Sequence, residues 1–248
     1  MPVPRAIPPE VTICITSCGR LNLLAETLAT FRAHNTGGVY HLSDDSADPA
    51  VAAEIRRLYP EMHCHFSDTR GGLMRSIDRL YSGVTTPYLF HLEDDWAFSG
   101  PVDWSSAIVL LSTRPAIANI SVRAFEEIKP KWRAKSDPLS FDGQQYRIMH
   151  AASHPEFFGW SPNPGLIRTA LYHVHAPFAR YLPDQLSGII KAAGGTMAYQ
   201  LPGVARHIGH GRNAPDPTMP ARPRSKIAKF IRKIKKDLYY LGLRRDPF

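Results

Sequence analysis

The stretch Tyr88-Leu89-Phe90-His91-Leu92-Glu93-Asp94-Asp95-Trp96 constrains this chain more than any other. Its first half is apolar and aromatic and reads as a short buried strand. Three carboxylates then follow without a break. Successive side chains on a strand point to opposite faces, so the three acids cannot all be solvated on one side. The pattern suits a strand end, where one acid turns inward and the others project past the sheet. Acids crowded there repel one another unless a cation sits among them, and clustered oxygen ligands select Mg²⁺ or Mn²⁺. An acidic turn after a strand is the competing reading of these three residues alone.

The rest of the chain supplies a sheet for that strand to belong to. Val11 to Thr16 is β-rich and stops at Ser17-Cys18-Gly19-Arg20. A helix with Leu24, Leu28 and Phe31 at helical spacing follows, ending near Asn35 and Gly37-Gly38. Val39 to Leu42 is a second strand running into Ser43-Asp44-Asp45-Ser46, and Pro49 to Leu58 a second helix. Met62 to Phe66 is a weaker strand, and a helix carrying Leu73, Ile77 and Leu80 leads to the strand at Tyr88. This alternation predicts a mostly parallel α/β sheet flanked by helices. Three of its strands end in small or acidic residues, where open α/β sheets place their ligands.

Downstream, the pattern predicts a helix over Trp104 to Ser112 and a strand over Ala116 to Val122. Residues 126 to 145, polar and broken by Pro130, Pro138 and Gly143, read as a loop or lid before a strand at Tyr146 to His150. The aromatic turn Phe157 to Gly165 is expected to open a helix through about Tyr172. Another helix opens at Leu182-Pro183-Asp184, and Thr196 to Leu201 is a last strand before a Gly-punctuated loop from Arg206 to Arg212.

With 248 residues the chain can bury a full core, and one domain is the better expectation. No stretch reads as a leader segment or membrane span. Three cysteines, Cys14, Cys18 and Cys64, without zinc-like pairs are expected to be reduced thiols in a cytoplasmic protein. The net charge of +8 is unevenly placed: residues 221 to 248 hold ten Lys/Arg and two Asp, which accounts for all of it and leaves the body neutral.

The order of these parts resembles the GT-A fold glycosyltransferases, mainly the family 2 type, over roughly residues 9 to 212. The resemblance rests on Ile15-Thr16-Ser17-Cys18-Gly19-Arg20, on Asp44-Asp45-Ser46, on Glu93-Asp94-Asp95 as a form of the DXD motif, and on a late acid opening a helix. The Glu-Asp-Asp form, with Phe158-Gly159-Trp160 and a late His-Gly pair, is also similar to the N-acetylglucosaminyltransferase branch of that fold. The resemblance implies an inverting transfer of a sugar from a UDP- or GDP-sugar to a glycan or lipid-linked acceptor, with Mn²⁺ or Mg²⁺ at the leaving group.

It also implies roles for residues. Asp95 is the most direct metal ligand, while Asp94 and Glu93 hold the donor ribose or sugar, or act through water. Thr16, Cys18 and Asp45 stand where the family contacts base and ribose, Cys18 replacing a usual tyrosine. Arg20 and Arg75 are phosphate or ribose candidates, with surface ion pairing as their alternative. Asp184 matches the family's general base by position, with a helix cap as its alternative and Glu126 and Glu127 next in line. His207, ahead of His210, is the candidate third metal ligand. Trp160 is either an acceptor floor or core.

The body is expected to be residues 1 to 213, the Pro-rich run 214 to 224 a linker, and 225 to 248 a basic amphipathic helix. Ile227, Phe230, Ile231, Ile234, Leu238 and Leu241 recur along one side, with Lys229, Arg232, Lys233, Lys235 and Lys236 on the other. Such a helix suits an anionic membrane surface, hence a peripheral position on the inner face of the cell membrane; docking on the globule or a partner is the alternative. Nucleic acid is not expected, because the neutral body offers no second basic face. Two other functions compete with a transferase. One is a nucleotidyltransferase, disfavoured by the sparse loop after the first strand. The other is a sugar-nucleotide or glycan-binding module without turnover.

Overall fold

The structure, a computed structural model, describes residues 3–212, 214–219, 225–240 and 243. It divides into two compact units, Met1–Ala214 and Pro215–Phe248. The second half of the expected linker, the apolar position Leu241 and most of the tail after it lie outside the described residues.

The first unit opens with strands β1 (Arg5–Ala6) and β2 (Val11–Ser17), helix α1 (Leu21–His34), and β3 (Asn35–Thr36), which pairs with β1. Next come β4 (Val39–Asp44), α2 (Pro49–Leu58), β5 (His63–Phe66), α3 (Leu73–Tyr81), β6 (Tyr88–Glu93) and β7 (Trp96–Phe98). They are followed by α4 (Trp104–Thr113), β8 (Ile117–Ser121), α5 (Pro130–Arg133), β9 (Ser136–Phe141) and β10 (Gln144–Met149). The unit closes with β11 (Gly165–Arg168), α6 (Thr169–His175), α7 (Pro183–Ala192), β12 (Thr196–Leu201) and β13 (Ala205–His207). Helix α8 (Lys226–Tyr240) belongs to the second unit.

Nine strands form the central sheet in the order β5-β4-β2-β6-β11-β8-β12-β10-β9. The first four are mutually parallel, as the alternation of strands and helices requires. Their registers, Thr16 opposite Glu93, Ser17 opposite Asp44 and Asp44 opposite Phe66, bring four carboxyl ends to one edge. The second half is mixed, because β11 lies antiparallel between β6 and β8.

Period-two alternation sorts the side chains onto two faces. Ile13, Ile15, Phe90 and Leu92 pack with Leu24, Leu28 and Phe31 of α1 and Leu110 of α4. Cys14 and Leu89 pack on the other side with Ile77 and Leu80 of α3 and Leu186 and Ile190 of α7. Phe31 anchors the first face, with the rings of Tyr40, Phe90, Phe98 and Trp104 centred 4.9 to 6.5 Å away. Where α1 ends, the buried Asn35 side chain donates to Phe31 O, one of the carbonyls of the last turn, and accepts from Val102 N, so its own amide is satisfied at both ends. Helix α2 starts on Asp48, whose carboxylate accepts from Ala50 N at 2.8 Å, with Pro49 in the first turn.

Two expectations are corrected. Residues 126 to 145 are not a loop: they contain α5 and the hairpin β9–β10, which extends the sheet. The signal for that hairpin was Asp142-Gly143, both at positive φ in a two-residue turn between Phe141 and Gln144. Pro138 is tolerated because β9 is the outermost strand. The aromatic turn does not open a helix directly either. Pro162 and Pro164 delay it, and the four-residue strand β11 intervenes before α6. Gly165 admits that strand, since a Cβ there would sit 2.7 Å from Ile120 O.

One core group carries a pH signature. His91 is 1% exposed, its Nδ1 has no partner, and burial pushes its pKa down to about 3 from 6.5. Below about pH 6.5 the unfolded chain takes up a proton that the folded protein refuses until about pH 3, so stability falls as pH falls through that window, by up to about 1.4 kcal/mol per unit. His91→Phe should therefore flatten the acid-side loss of stability relative to wild type, read as urea midpoints between pH 6.5 and 4. Parallel profiles would show that His91 does not titrate as its burial requires.

Candidate active site

The carboxyl ends of β2, β4 and β6 converge, and the acids of β6 meet their partners there. Asp94 is 1% exposed. Its Oδ2 accepts from Ser17 Oγ at 3.0 Å, from Cys18 N at 3.4 Å and from Arg20 Nε at 3.2 Å, while Arg20 Nη2 closes on its Oδ1. The same guanidinium reaches the next acid: Arg20 Nη1 donates to Asp95 Oδ2 at 2.8 Å and to Arg212 O at 3.1 Å. Glu93 turns back and accepts from Trp96 Nε1 at 3.2 Å. The fork of Arg20 fits this role because its five N–H groups lie in one plane and can serve two carboxylates at once.

His207 arrives from the far end of the chain. Strand β13 pairs antiparallel with β7, with His207 opposite Trp96, and Ile208 N donates to Asp95 O at 2.9 Å. This register sets His207 Nε2 3.3 Å from Asp95 Oδ2, with the imidazole edge-on to the Trp96 ring. His210 packs against His207, ring centres 4.7 Å apart. Gly209 lies directly over Asp95: a Cβ there would stand 2.8 Å from both Cβ and Cγ of the acid.

Electrostatics at this end are strained toward the negative. Glu93 is pushed up to about 8 by burial and by the charges of Asp95 and Asp94, against the opposing effects of Trp96 and Arg20. Burial also raises Asp94 to about 6, opposed by Arg20 and Ser17. Burial and mutual repulsion thus disfavour the ionised acids beyond what Arg20 offsets, and a divalent cation at this end would favour their ionised forms. Among the described residues no group of three or more His, Cys, Asp or Glu is arranged to hold a metal. Asp95 and His207 do fit a cation of the Mg²⁺ or Mn²⁺ type, which takes one or two protein ligands and completes its octahedron with phosphates and water. Adjacent ligands of such an ion, at bonds of about 2.1 Å, stand about 3 Å apart. The observed 3.3 Å is close to that.

The other candidates fall into distinct places. Asp44 binds the turns: it accepts from Gly19 N at 2.8 Å and Ser46 N at 2.9 Å. Asp45 is buried and accepts from Gly71 N at 3.0 Å, Gly72 N at 2.7 Å and Arg79 Nη2 at 2.6 Å, so it fixes the loop before α3. Cys18 lies 3.3 Å from Arg70 Nη2, and burial raises its thiol despite that guanidinium. Arg75 is exposed and its stem lies over Gly71, where a Cβ would come within 3.1 Å of its Cδ. Thr16 faces inward, its Oγ1 3.5 Å from His91 Nε2. Beside these turns a cleft of about 300 Å³ is lined by Asp44, Ser46, Asp48, Arg56, Phe66 and Asp68.

Asp184 and Trp160 lie on other elements than the acid cluster, in α7 and in the aromatic turn before β11. Asp184 is 9% exposed in the first turn of α7. Leu182 occupies the cap position and its N–H is taken by Gln185 Oε1 at 2.9 Å, while Asp184 Oδ1 accepts from Gln185 N at 3.0 Å. Trp160 as an open acceptor floor is corrected: it is 3% exposed, packed on Phe178 and held by Ser187 Oγ at its backbone. The exposed ring of that aromatic turn is Phe157, stacked on His154. Glu126 and Glu127 pair with Arg206 and Arg123. Residues the sequence did not single out include Ser17, Arg70, Arg79 and Gly209. Only Gly209, between two histidines, carried a local signal.

No protein-family model matches the chain, and no curated protein matches its sequence. Solved structures match its fold. The structure of GalNAc-T7 with UDP, GalNAc and Mn²⁺ matches at 10% identity and TM-score 0.54, over 93% of this chain and 50% of that one. S. aureus TarS residues 1–349 with UDP-GlcNAc matches at 11% identity and TM-score 0.56, over 91% and 65%. The mannosyltransferase PcManGT from Pyrobaculum calidifontis, with GDP-Man and Mn²⁺, matches at 13% identity and TM-score 0.51, over 99% and 67%. The chain thus has the GT-A glycosyltransferase fold, a mixed α/β sheet flanked by helices. It spans half to two thirds of the length of these three proteins.

The tight seat of Gly209 is testable. Gly209→Ala should cost about 1–3 kcal/mol in unfolding free energy through overpacking against Asp95. In an Asp95→Gly background the obstructing Cβ and carboxylate are both gone, and the same change should cost much less. Equal costs in both backgrounds would mean that the two residues do not meet.

Proposed function

We propose that the protein is an inverting, divalent-metal-dependent glycosyltransferase of the family 2 type, moving a sugar from a UDP- or GDP-sugar to the hydroxyl of a glycan or lipid-linked acceptor in surface-polysaccharide synthesis. The observation that carries this reading is the pair Asp95 and His207, 3.3 Å apart at the carboxyl end of β6 in a GT-A fold. Asp95 and His207 would hold Mn²⁺ or Mg²⁺, which when bound supplies Lewis-acid stabilisation of the departing diphosphate. Arg70 and Arg75, on the loop and helix behind Gly71-Gly72, offer guanidinium donors to the diphosphate. The cleft beside Asp44 offers a seat for the nucleoside. Asp184 takes the acceptor proton as general base, a carboxylate in the first turn of α7 where the family resemblance expects one.

The second unit extends the proposal to a membrane. Helix α8 carries six Lys/Arg and one Asp, and Ile227, Phe230, Ile231, Ile234 and Leu238 are all exposed. No helix among the described residues is long and apolar enough to cross a bilayer. A cationic helix with an uncovered apolar stripe instead suits an anionic leaflet, at about 1 kcal/mol per Lys/Arg near the surface. In this reading the enzyme works at the cytoplasmic face of the membrane, beside lipid-linked acceptors.

Two experiments test these statements. A screen of UDP- and GDP-sugars with Mn²⁺ should find one donor that is turned over. Asp95→Asn should then lower turnover at least about 100-fold, and Asp184→Asn ~10²- to 10⁴-fold with donor affinity little changed. Unaltered turnover in either variant removes that residue from its role. For the tail, Phe230→Asp with Ile234→Asp should abolish co-sedimentation with anionic vesicles, and wild-type binding should weaken with salt. Vesicle binding that survives the double substitution would move the membrane contact elsewhere.

A further inference from the structure

Arg20 occupies the acids that the proposed metal would need. Its Nη1 donates at 2.8 Å to Asp95 Oδ2, the same oxygen that stands 3.3 Å from His207 Nε2. Its Nε and Nη2 hold Asp94, whose Oδ2 is further shared by Ser17 Oγ and Cys18 N. The guanidinium is itself mostly covered, with a side chain 20% exposed, and a third bond to Arg212 O ties it to the loop that follows His207. A divalent ion on Asp95 and His207 would bring two positive charges next to this one, in a setting that screens them poorly. The guanidinium and the ion therefore exclude one another at Asp95.

We propose that Arg20 is a resident counter-ion of the acid cluster, which leaves Asp95 when a divalent cation arrives and is re-partnered by the donor's diphosphate. This deepens the glycosyltransferase reading and rests on it. By pairing with Asp94 and Asp95, Arg20 weakens the affinity for metal. Once a nucleoside diphosphate is present, the displaced guanidinium has phosphate oxygens to bind, which suit its planar fork as well as carboxylates do. Metal and nucleotide then favour each other's binding, and by linkage each strengthens the other by the same factor. Arg20 acts here as a positioning residue that ties metal loading to the presence of donor.

Mn²⁺ binding to the full chain, followed by electron paramagnetic resonance without any substrate, tests this. Arg20→Gln should bind Mn²⁺ about tenfold or more tightly than wild type, about 1.4 kcal/mol. Arg20→Lys, which keeps the charge and loses the fork, should fall between them. Adding UDP or GDP should tighten Mn²⁺ binding by wild type more than by Arg20→Gln. A second readout needs no variant to fold. In a ¹⁵N-arginine spectrum of wild-type protein, one Nε–H signal bonded to a carboxylate should move when Mg²⁺ and nucleotide are added together. Equal or weaker Mn²⁺ affinity in Arg20→Gln, or Nε–H signals that all stay in place, would overturn the exchange while leaving the metal site standing. Asp95→Asn separates the two ideas: if wild type binds Mn²⁺ no better than Asp95→Asn under any condition, both the exchange and the metal reading fall.

Discussion

Three consecutive carboxylates at the end of a buried strand are an electrostatic debt that the surrounding chain must settle. Glu93 ends β6 and Asp94 and Asp95 form the turn after it, both almost fully covered. Each is met by a different segment: Arg20 from the β2–α1 turn, His207 from β13, and Trp96 from the residues immediately after. Breaking a buried pair by removing one partner typically costs about 3–5 kcal/mol, so these turns are held in place by the acids as much as the acids by them. Gly209 completes the arrangement by having no side chain to put against Asp95.

The sheet divides the labour. Its parallel half aligns the ends of β2, β4, β5 and β6, and the turns beyond those ends form the acid cluster and the neighbouring cleft. Asp44 and Asp45 hold those turns to one another, Asp44 through Gly19 and Ser46, Asp45 through Gly71, Gly72 and Arg79. Reversal at β11 then lets the chain carry α7 and the hairpin β9–β10 on the far half. Polar residues in this framework thus serve two ends. Some anchor loops, as Asp45 does; others, as Asp95 does, hold one oxygen 3.3 Å from a histidine nitrogen, about the separation of neighbouring ligands on one small cation.

Local pattern was enough to determine the first half of the chain. Period-two runs of apolar residues, helical spacing and the small-residue turns placed β2, α1, β4, α2, α3 and β6 close to their observed bounds, because those signals act within a few residues. The Glu93-Asp94-Asp95 cluster at a strand end was equally legible, as was the amphipathic pattern of α8. Tertiary structure alone decided the rest. Strand β11 was hidden because four residues, Gly-Leu-Ile-Arg, between prolines and a helix are too few to show a period of their own. The hairpin β9–β10 was hidden behind Pro138, which only an edge position tolerates. Which partner each acid receives also lay beyond the sequence, since Arg20 and His207 stand 187 residues apart and meet through the pairing of β7 with β13. Burial separated Trp160 from Phe157, two aromatics of one turn with the same local chemistry. A sequence specifies which groups are costly to leave alone; the fold decides which distant groups relieve them, because that choice depends on strand order and register.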